Sequence, residues 1–547
     1  MFVRVKDSHG YKYLQIVENK RNGDKISQHV FATLGRVDAV LASGKVDDLI
    51  RSLAKFTPLL KVIDAQHEGS LQAHNALSVG PALIFERLWR QLGIDKAIKH
   101  QLTESHCRFS LERAIFLTVL NRLLDPGSDR AAERWKKEFK IEGTADIERH
   151  HLYRAMGWLG EQSIQHGHDT RSLRCRKDLI EEELFAANHD LFNELEVVFF
   201  DTTSIYFEGE GGESLGQYGH SKDHRPDLKQ MVVAAVLDQT GRPICCELWP
   251  GNLTDVTSLI PVVKRLKSRF GIASVCVVAD RGMISKETIQ KLESTELGMS
   301  YILGVRMHTD KEVRDEVLGA QQEFPVVTGP KQKSSDPSPL SVREQLVDGK
   351  RYVVCYNEDQ ARKDAADRLA IVESLKDKLK SGDKGLVGNK GYRRYLKSGG
   401  PEHFTIDEEK LGEEQKFDGM WVLRTNTSYS AEEVALKYKQ LWMVESIFRS
   451  AKSLLETRPI YHKVDDTIRG HVFCSFLALM LRKELEMRLE AHGEKLEWED
   501  MKRDLRALRE VDVEMDGKTV YLRTDLSGVC HKVFQAAGVA VPKTIRF

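Results

Sequence analysis

Two acidic residues stand where their carboxylates could share a divalent metal ion. Asp201 follows the apolar run Val197–Phe200, and Asp280 follows the apolar run Val275–Ala279. A carboxylate at the end of a buried strand projects into the crevice at the carboxyl edge of a sheet. Two such groups repel each other and are costly to desolvate, and a divalent cation such as Mg²⁺ or Mn²⁺ relieves both costs. Each aspartate alone is also explained as a turn residue or a helix N-cap.

A third acid, Glu445, lies on a helix predicted from about Ala431 to Leu455. One face of this helix is an apolar stripe formed by Leu441, Val444, Phe448 and Ala451. Tyr438 and Lys452 lie seven residues on either side of Glu445, about two turns, so the three are predicted on one face. A carboxylate between a phenol and an ammonium suits a metal site beside a phosphate backbone, and the apolar stripe does not explain it.

Length and composition restrict the class of protein. The chain has 547 residues, of which 41% are hydrophobic and 30% are charged. At about 150 residues per domain this predicts roughly three to four domains, and the composition excludes a disordered or fibrous chain. Lys+Arg and Asp+Glu both number 82, so the net charge is zero. A uniformly basic DNA-coating protein is therefore excluded, whereas a nuclease with a local basic surface is not.

Neither the cysteines nor the apolar segments indicate secretion or membrane insertion. The eight cysteines are scattered without a CxxC pair, which is typical of buried thiols in a reducing compartment. The N-terminus has no apolar signal region. The longest apolar run, Val472–Leu481, is far shorter than the ~18 residues of a membrane span. We therefore expect a cytoplasmic protein that does not associate with membranes.

Changes in residue pattern divide the chain into six predicted segments. They are a small β-rich N-terminal module (1–65), a helical segment that is a candidate for DNA-end binding (66–194), the first part of an α/β core (195–305), an insertion domain (306–417), the second part of the core with the helix of Glu445 (418–470), and a C-terminal helical region that ends in short β segments and a loose tail (471–547). The first module has eleven basic and seven acidic side chains. It either contacts DNA or is a solvated accessory domain.

The order of elements in the core predicts a mixed sheet. Strands are expected over Val197–Phe200, Met231–Leu237, Ile244–Trp249 and Val275–Ala279, with a helix over Ser258–Phe270. Three antiparallel strands, a crossover helix and a buried fourth strand are typical of a ribonuclease-H-like mixed sheet flanked by helices. Another buried strand, Met420–Leu423, resumes this α/β fold after the polar insertion.

Together these features resemble the DDE transposases of bacterial insertion sequences. Asp201, Asp280 and Glu445 are separated by 79 and 165 residues, as in the catalytic triad of that family. The resemblance covers 195–305 and 418–480, and it extends loosely over the helical segment before them. A β-rich insertion between the second aspartate and the glutamate also matches the family.

The helix of Glu445 is similar to a Tyr-x2-Arg-x3-Glu-x6-Lys signature found in one group of these transposases. Tyr438, Glu445 and Lys452 match it, and the resemblance implies that Tyr438 and Lys452 contact phosphates near the cut. Leu441 occupies the Arg position and cannot make the bidentate phosphate contact of an arginine. Arg449, one turn beyond the glutamate, either substitutes for it or faces solvent.

The resemblance also implies a metal-dependent mechanism. Two Mg²⁺ ions, for which Mn²⁺ can substitute, would be held by Asp201, Asp280 and Glu445. One ion would activate water, or later a DNA 3′-hydroxyl, and the other would stabilise the leaving oxygen. The same site would cut the element ends and join them to target DNA. The implied partners are double-stranded DNA of both kinds and a second copy of the chain in a synaptic homodimer.

Two further features are candidates for DNA contacts. In relatives of this group the flanking strand is cut through a hairpin, and a Trp ahead of the catalytic helix stacks on a flipped base. Trp421 resembles that Trp, and a role in the core explains it equally well. The segment Gly219–Pro226 is expected in the loop between the first two strands of the core, near Asp201. Its mixed donors suit the DNA backbone, a His/Asp metal site or a plain surface loop.

Three other functions compete with transposition. A nuclease on the same fold would hydrolyse DNA without joining it, and a DNA-binding relic of a transposase would have lost all activity. The intact set of Asp201, Asp280 and Glu445 argues against the relic. A glycosidase with paired carboxylates is a weaker alternative because it predicts no metal dependence. A basic excess of three charges over 436–470 favours backbone binding near the predicted helix.

Overall fold

The computed structural model describes residues 1–22, 25–54, 72–102, 108–162, 174–188, 195–272, 275–307, 310–319, 324–329, 338–381, 395–400, 403–515 and 518–546. Its strands are β1 (Phe2–Ser8), β2 (Tyr11–Asn22), β3 (Lys25–Arg36), β4 (Gln72–Ser78), β5 (Val197–Tyr206), β6 (Gln230–Leu237), β7 (Pro243–Pro250), β8 (Cys276–Ala279), β9 (Ser300–Gly304), β10 (Val326–Thr328), β11 (Leu340–Val347), β12 (Lys350–Tyr356), β13 (Leu396–Gly400), β14 (His403–Ile406), β15 (Met420–Thr425), β16 (Arg509–Met515), β17 (Lys518–Arg523) and β18 (Ile545–Arg546).

The helices are α1 (Val37–Ala42), α2 (Lys45–Ala54), α3 (Gly80–Gln91), α4 (Ile94–Gln101), α5 (Leu111–Leu124), α6 (Asp129–Trp135), α7 (Arg149–Gly160), α8 (Arg176–Asn188), α9 (Asp255–Arg269), α10 (Lys286–Glu293), α11 (Glu358–Ser381), α12 (Glu408–Gln415), α13 (Ala431–Lys439), α14 (Trp442–Arg449), α15 (Asp465–Ala491), α16 (Trp498–Ala507) and α17 (Cys530–Ala537). Short 3₁₀ turns lie at Lys136–Glu138 and Arg281–Met283, and π-helical turns at Val313–Val317 and Ser450–Leu454.

The chain forms two compact units, and the smaller one contains both the N-terminal and the C-terminal residues of the sequence. It comprises residues 1–84, 137–140 and 494–547. Strands β1, β2 and β3 form an antiparallel sheet, and β18, β17, β16 and β4 form a second sheet in that order. The expected helical segment therefore begins with a strand, since β4 pairs with β16. The expected loose C-terminal tail is also wrong, because β18 pairs with β17 and Arg523 donates to the Pro542 carbonyl at 2.7 Å.

The larger unit, residues 85–136 and 141–493, contains a nine-stranded mixed sheet. Its order is β10-β11-β12-β15-β9-β8-β5-β6-β7, with only the β5–β8 and β8–β9 pairs parallel. The chain thus has the mixed α/β architecture expected from its sequence. The strands β10 to β12 from the predicted insertion extend the same sheet through β15. The division of the chain into the six predicted segments stays a prediction.

Both faces of the sheet are covered, which explains why its central strands are apolar throughout. Val197 and Phe199 pack on one face with residues of α13, α14 and α15, including Val444. Val198 and Phe200 pack on the other face with residues of α9 and α10. Successive side chains of a strand point to opposite faces, so the run in β5 contributes to both cores. The site-bearing edge is therefore held between two packed layers.

The seven cysteines of the described ranges are free and buried, as predicted, and Cys107 lies outside those ranges. Among the described helices, none is both long enough and apolar enough to cross a membrane.

A buried ionic cluster beneath the edge strand β7 generates a stability prediction. Glu181 on α8 is 2% exposed and accepts hydrogen bonds from the Cys246 backbone N–H at 3.0 Å and the Cys246 thiol at 3.3 Å. Burial raises the pKa of Glu181 to about 7, although Lys177 at 3.5 Å opposes this shift. The folded chain therefore keeps a proton that the unfolded chain loses between pH 4.5 and 7.

As the pH rises from 4.5 to 7, we expect the ionisation of Glu181 to lower the free energy of unfolding by roughly 1–3 kcal/mol. Glu181→Gln should remove that part of the pH dependence, because its side chain does not ionise. Urea denaturation of both proteins across this range measures the difference. Glu183→Gln, on the same helix and 29% exposed, is the matched control and should keep the wild-type slope. Parallel curves for wild type and Glu181→Gln would contradict the prediction.

Candidate active site

Asp201 and Asp280 occupy equivalent positions on two adjacent parallel strands. The last pair of the β5–β8 ladder is Phe200 with Ala279, and each aspartate directly follows its member of that pair. The two carboxylates therefore come from neighbouring strands at the same level of the sheet. The prediction that a strand ends there is right for Asp280, which begins a 3₁₀ turn. It is wrong for Asp201, because β5 continues to Tyr206 and pairs there with β6.

Asp201 is partly buried beside other acids. Burial raises the pKa of Asp201 to about 6, and Asp280 and Asp255 add to the increase. The Lys222 ammonium and the backbone N–H of Thr202, which donates to Asp201 Oδ1 at 2.7 Å, oppose it. Asp201 is thus a carboxylate that an additional positive charge would stabilise in its ionised form.

A lysine and a third aspartate complete the polar surroundings of this edge. Lys222 Nζ donates to the carbonyl and hydroxyl oxygens of Thr202 at 2.8 and 2.9 Å and lies 3.1 Å from Asp255 Oδ2. The Thr202 hydroxyl donates in turn to Asp255 Oδ1 at 2.6 Å. No local pattern in the sequence indicates these two roles. Lys222 lies in the candidate segment Gly219–Pro226, whereas Asp255 has only the ordinary signature of a helix start.

Tyr438 contacts Asp280 directly. Its hydroxyl donates to Asp280 Oδ1 at 3.0 Å, and burial together with Asp280 raises the pKa of Tyr438, so the phenol stays protonated. The close approach requires a glycine at the end of β9, since a Cβ on Gly304 would collide with the Tyr438 hydroxyl. In this structure the tyrosine therefore fixes the orientation of an acidic side chain.

The predicted continuous helix over Ala431–Leu455 is interrupted. Between α13 and α14 the chain tightens, with the Leu441 N–H donating to Tyr438 O and the Val444 N–H to Leu441 O, each at 3.0 Å. After α14 it widens into the π-helical turn Ser450–Leu454. Tight and wide turns change the angle per residue, so seven-residue spacing no longer guarantees a shared face.

Glu445 is exposed on α14 and lines the same groove as Asp280 and Tyr438. The groove has a volume of about 650 Å³ and is bounded by Asp280, Arg281, Gly282, Gly304, Val305, Arg306, Met307, Met420, Trp421, Val422, Tyr438 and Glu445. Within the described ranges, no three His, Cys, Asp or Glu side chains are grouped closely enough to hold a metal ion. Asp201, Asp280 and Glu445 therefore do not form a closed ligand set in this conformation.

Trp421 lies in the wall of the groove. Its indole nitrogen is buried and has no hydrogen-bond partner among the described residues. The ring also borders a second cavity of about 450 Å³, whose lining includes Asp364, Asp367 and Arg368. The indole is thus neither a fully buried core residue nor a surface one.

Lys452 forms an ion pair that the sequence did not predict. Its Nζ lies 2.7 Å from Asp223 Oδ1, and Arg458 Nη1 lies 2.6 Å from the same oxygen. Asp223 is 5% exposed, Lys452 is 12% exposed and Arg458 is 29% exposed. Lys452 lies in the π-helical turn after α14, where the angle per residue differs, so its predicted place on one face with the tyrosine and the glutamate stays a prediction. Two cations share one carboxylate, which leaves a local excess of positive charge.

The two remaining positions of the signature helix differ in burial. Leu441 is 5% exposed and belongs to the core beneath the sheet, so it cannot contact DNA. Arg449 is exposed at the end of α14.

Comparisons with known proteins identify two matching family models. The model described as the transposase DDE domain matches residues 193–481, more than half of the chain. The model described as the IS1634 family transposase N-terminal domain matches residues 3–61. No curated protein matched the chain. The cryo-EM structure of a piggyBac transposase synaptic complex with hairpin DNA is 12% identical, with 78% of this chain and 79% of that chain covered and a TM-score of 0.39. A TM-score this low supports no inference about this chain.

The Asp223 ion pair predicts that substitutions of two aspartates in the same loop lower the free energy of unfolding by very different amounts. Asp223→Asn leaves Lys452 and Arg458 without their shared carboxylate, and we expect it to lower the free energy of unfolding by about 2–4 kcal/mol. Asp227 pairs with Arg225 at 2.8 Å on the surface, so Asp227→Asn should cost at most about 1 kcal/mol. Urea denaturation at low and high salt compares the two. Equal losses would show that the buried pair has no special weight.

Proposed function

The chain belongs to the DDE transposase family, and we propose that Asp201, Asp280 and Glu445 are its catalytic carboxylates. As an insertion-sequence transposase it cuts DNA at the ends of its element and transfers the freed strand into target DNA. The assignment is carried by one observation: register puts Asp201 beside Asp280 at the end of the parallel ladder. Glu445, from a segment far along the chain, lines the groove that contains Asp280.

The donor set at this edge fits two divalent cations. All three proposed ligands are carboxylates, which Mg²⁺ and Mn²⁺ prefer. The raised pKa of Asp201 is the signature of a partly buried acid that lacks sufficient positive charge nearby. When bound, the ions would lower the pKa of the attacking group and stabilise the charge on the phosphoryl and leaving oxygens. Glu445 must approach the aspartates to complete the set, and the irregular turns on both sides of α14 support such a movement.

The neighbouring side chains have positioning roles in this proposal. Tyr438 holds Asp280 through its hydroxyl, and Thr202 and Lys222 hold Asp255 beside Asp201. Fixed orientation matters because in-line attack on a phosphodiester tolerates little displacement of the reacting groups.

DNA contacts surround the groove in the same proposal. We assign Trp421 to stacking on a base, supported by its place in the groove wall and its unpaired indole nitrogen. Tyr438, Lys452 and Arg449 would contact the backbone. The shared Asp223 leaves the Lys452 region with one uncompensated positive charge, which attracts phosphate. The exposed Arg449 is available in place of the arginine that Leu441 replaces.

The finer fold assignment is ribonuclease-H-like. It is supported by the order β9-β8-β5-β6-β7, in which β5, β6 and β7 are antiparallel and β8 and β9 are parallel to β5. Residues 306–417 are proposed as an insertion into this fold. Because both element ends must be processed together, we propose a homodimer in the synaptic complex. We also propose a cytoplasmic location.

The assignment predicts that three isosteric substitutions abolish chemistry but not binding. Asp201→Asn, Asp280→Asn and Glu445→Gln should each reduce cleavage of a labelled duplex carrying the element's own ends by at least about 10³-fold, since each removes a negatively charged ligand. Joining to target DNA should be lost in parallel, while gel-shift affinity stays within a few-fold of wild type.

Glu408→Gln, a surface glutamate at the start of α12, is the control and should retain activity. Wild-type cleavage without joined product would favour the nuclease alternative. Binding without any wild-type chemistry would favour the relic.

Metal binding has a readout that does not require DNA. Mg²⁺ or Mn²⁺ at millimolar concentration should raise the thermal unfolding temperature of wild type, because a ligand that binds only the folded state stabilises it. The increase should be absent in Asp201→Asn and Asp280→Asn and retained in Glu408→Gln. Chelation by EDTA should abolish cleavage by wild type. An equal thermal shift in all four proteins would place the ion elsewhere.

A further inference from the structure

We propose that one face of the N-terminal sheet β1-β2-β3 recognises the duplex ends of the element. The proposal rests on the transposase function, which requires the enzyme to distinguish its own ends from other DNA. The groove that contains Asp280 is assigned to the backbone and to one base near the cut, so sequence recognition needs another surface.

The strand register defines this surface, which we call the polar face. Arg4 is opposite Gln15, and Gln15 is opposite Thr33, so the three side chains share one side of the sheet. The strand residues on this side whose side chains the structure describes are Phe2, Arg4, Lys6, Ser8, Tyr11, Tyr13, Gln15, Val17, Asn19, Gln28, Val30, Thr33 and Arg36. The opposite side carries Leu14 and Gly35, and α1 packs there, with Val40 against Gly35.

Charge is segregated between the two sides. Among the strand residues of the polar face whose side chains the structure describes, three are cations, Arg4, Lys6 and Arg36, and none is an acid. The acids of these strands, Asp7 and Glu18, point to the other side. Asp38 pairs with Arg36 at 2.6 Å from the start of α1 and offsets one of the three charges. A surface of this kind attracts a polyanion even though the whole chain is neutral.

The side chains of the polar face are held in a fixed array. Arg4 Nη1 donates to Gln28 Oε1 at 2.5 Å, and its Nε and Nη2 contact Gln15 Oε1 at 3.4 and 3.3 Å. Gln15 Nε2 donates to the Thr33 hydroxyl at 3.2 Å. The bridge from Arg4 to Gln28 spans the position of Val17, which is fully buried. Ordering these long side chains before binding lowers the entropy cost of binding a ligand.

Guanidinium and amide groups in such an array match base edges in the major groove. An arginine pairs in bidentate fashion with guanine, a glutamine pairs with adenine, and the groove admits a two-stranded ribbon such as β1-β2. Lysines contribute contacts to phosphate that do not depend on sequence. A surface that only gripped target DNA would not need the amides, so the array favours the element ends as its ligand.

The test uses the full chain without metal, so that no cleavage occurs. Fluorescence anisotropy would measure affinity for a labelled duplex with the element's terminal sequence and for a scrambled duplex, at several salt concentrations. Arg4→Lys keeps the charge but loses bidentate pairing, and we expect it to lower the ratio of the two affinities about ten-fold or more. Lys6→Ala should weaken both complexes and reduce the salt slope by about one.

Lys12→Ala is the matched control, because Lys12 is an exposed lysine of β2 on the opposite side of the same sheet. It should leave both the ratio and the salt slope unchanged. The proposal is overturned if Arg4→Lys retains the wild-type ratio, if Lys12→Ala has the same effect as Lys6→Ala, or if wild type does not prefer the ends. Circular dichroism of each variant would verify that the fold is retained.

Failure of this proposal and failure of the catalytic assignment give different results. Binding without metal does not depend on Asp201, Asp280 or Glu445. An unchanged affinity ratio in Arg4→Lys, with cleavage still abolished by Asp201→Asn, would reject the polar face alone. A reduced ratio together with active Asp201→Asn would reject the catalytic assignment alone.

Discussion

The register of β5 against β8 is the constraint on which the proposed catalytic edge depends. Two parallel strands paired in register deliver Asp201 and Asp280 together, and neither side chain can withdraw without breaking a ladder packed on both faces. The arrangement costs free energy, because like charges approach each other where water is partly excluded. A site built this way is poised for cations, since an additional positive charge would offset the raised pKa of Asp201.

Polar contacts between distant segments offset part of that cost and give the groove its shape. Lys222, from the loop after β5, links Thr202 to Asp255 at the start of α9. The next residue in that loop, Asp223, pairs with Lys452 in the π-helical turn after α14 and with Arg458 beyond that turn. One loop therefore connects the first aspartate to the segment that carries Glu445. Loops of this kind position catalytic groups on a rigid sheet.

Segregation of charge explains how a chain with no net charge can act on DNA. Acidic and basic residues are equal in number, but the polar face of the N-terminal sheet lacks acids among its described strand residues. At Asp223 two cations meet one carboxylate. Local excesses of this size act over roughly a Debye length, about 8–10 Å at physiological salt, so the total charge has little influence on them.

The sequence by itself determined the features that depend on near neighbours in the chain. Apolar runs followed by aspartate, strands joined by a turn and an apolar stripe on the helix of Glu445 are local patterns. They were sufficient to predict the α/β core, and they singled out the three acids of the proposed site. The continuation of β5 past Asp201, the pairing of β4 with β16, and the ion pair of Lys452 with Asp223, 229 residues away, were decided by the tertiary structure. Periodicity encodes which side of an element is buried, whereas contacts between distant segments depend on how whole elements pack, which no local pattern records.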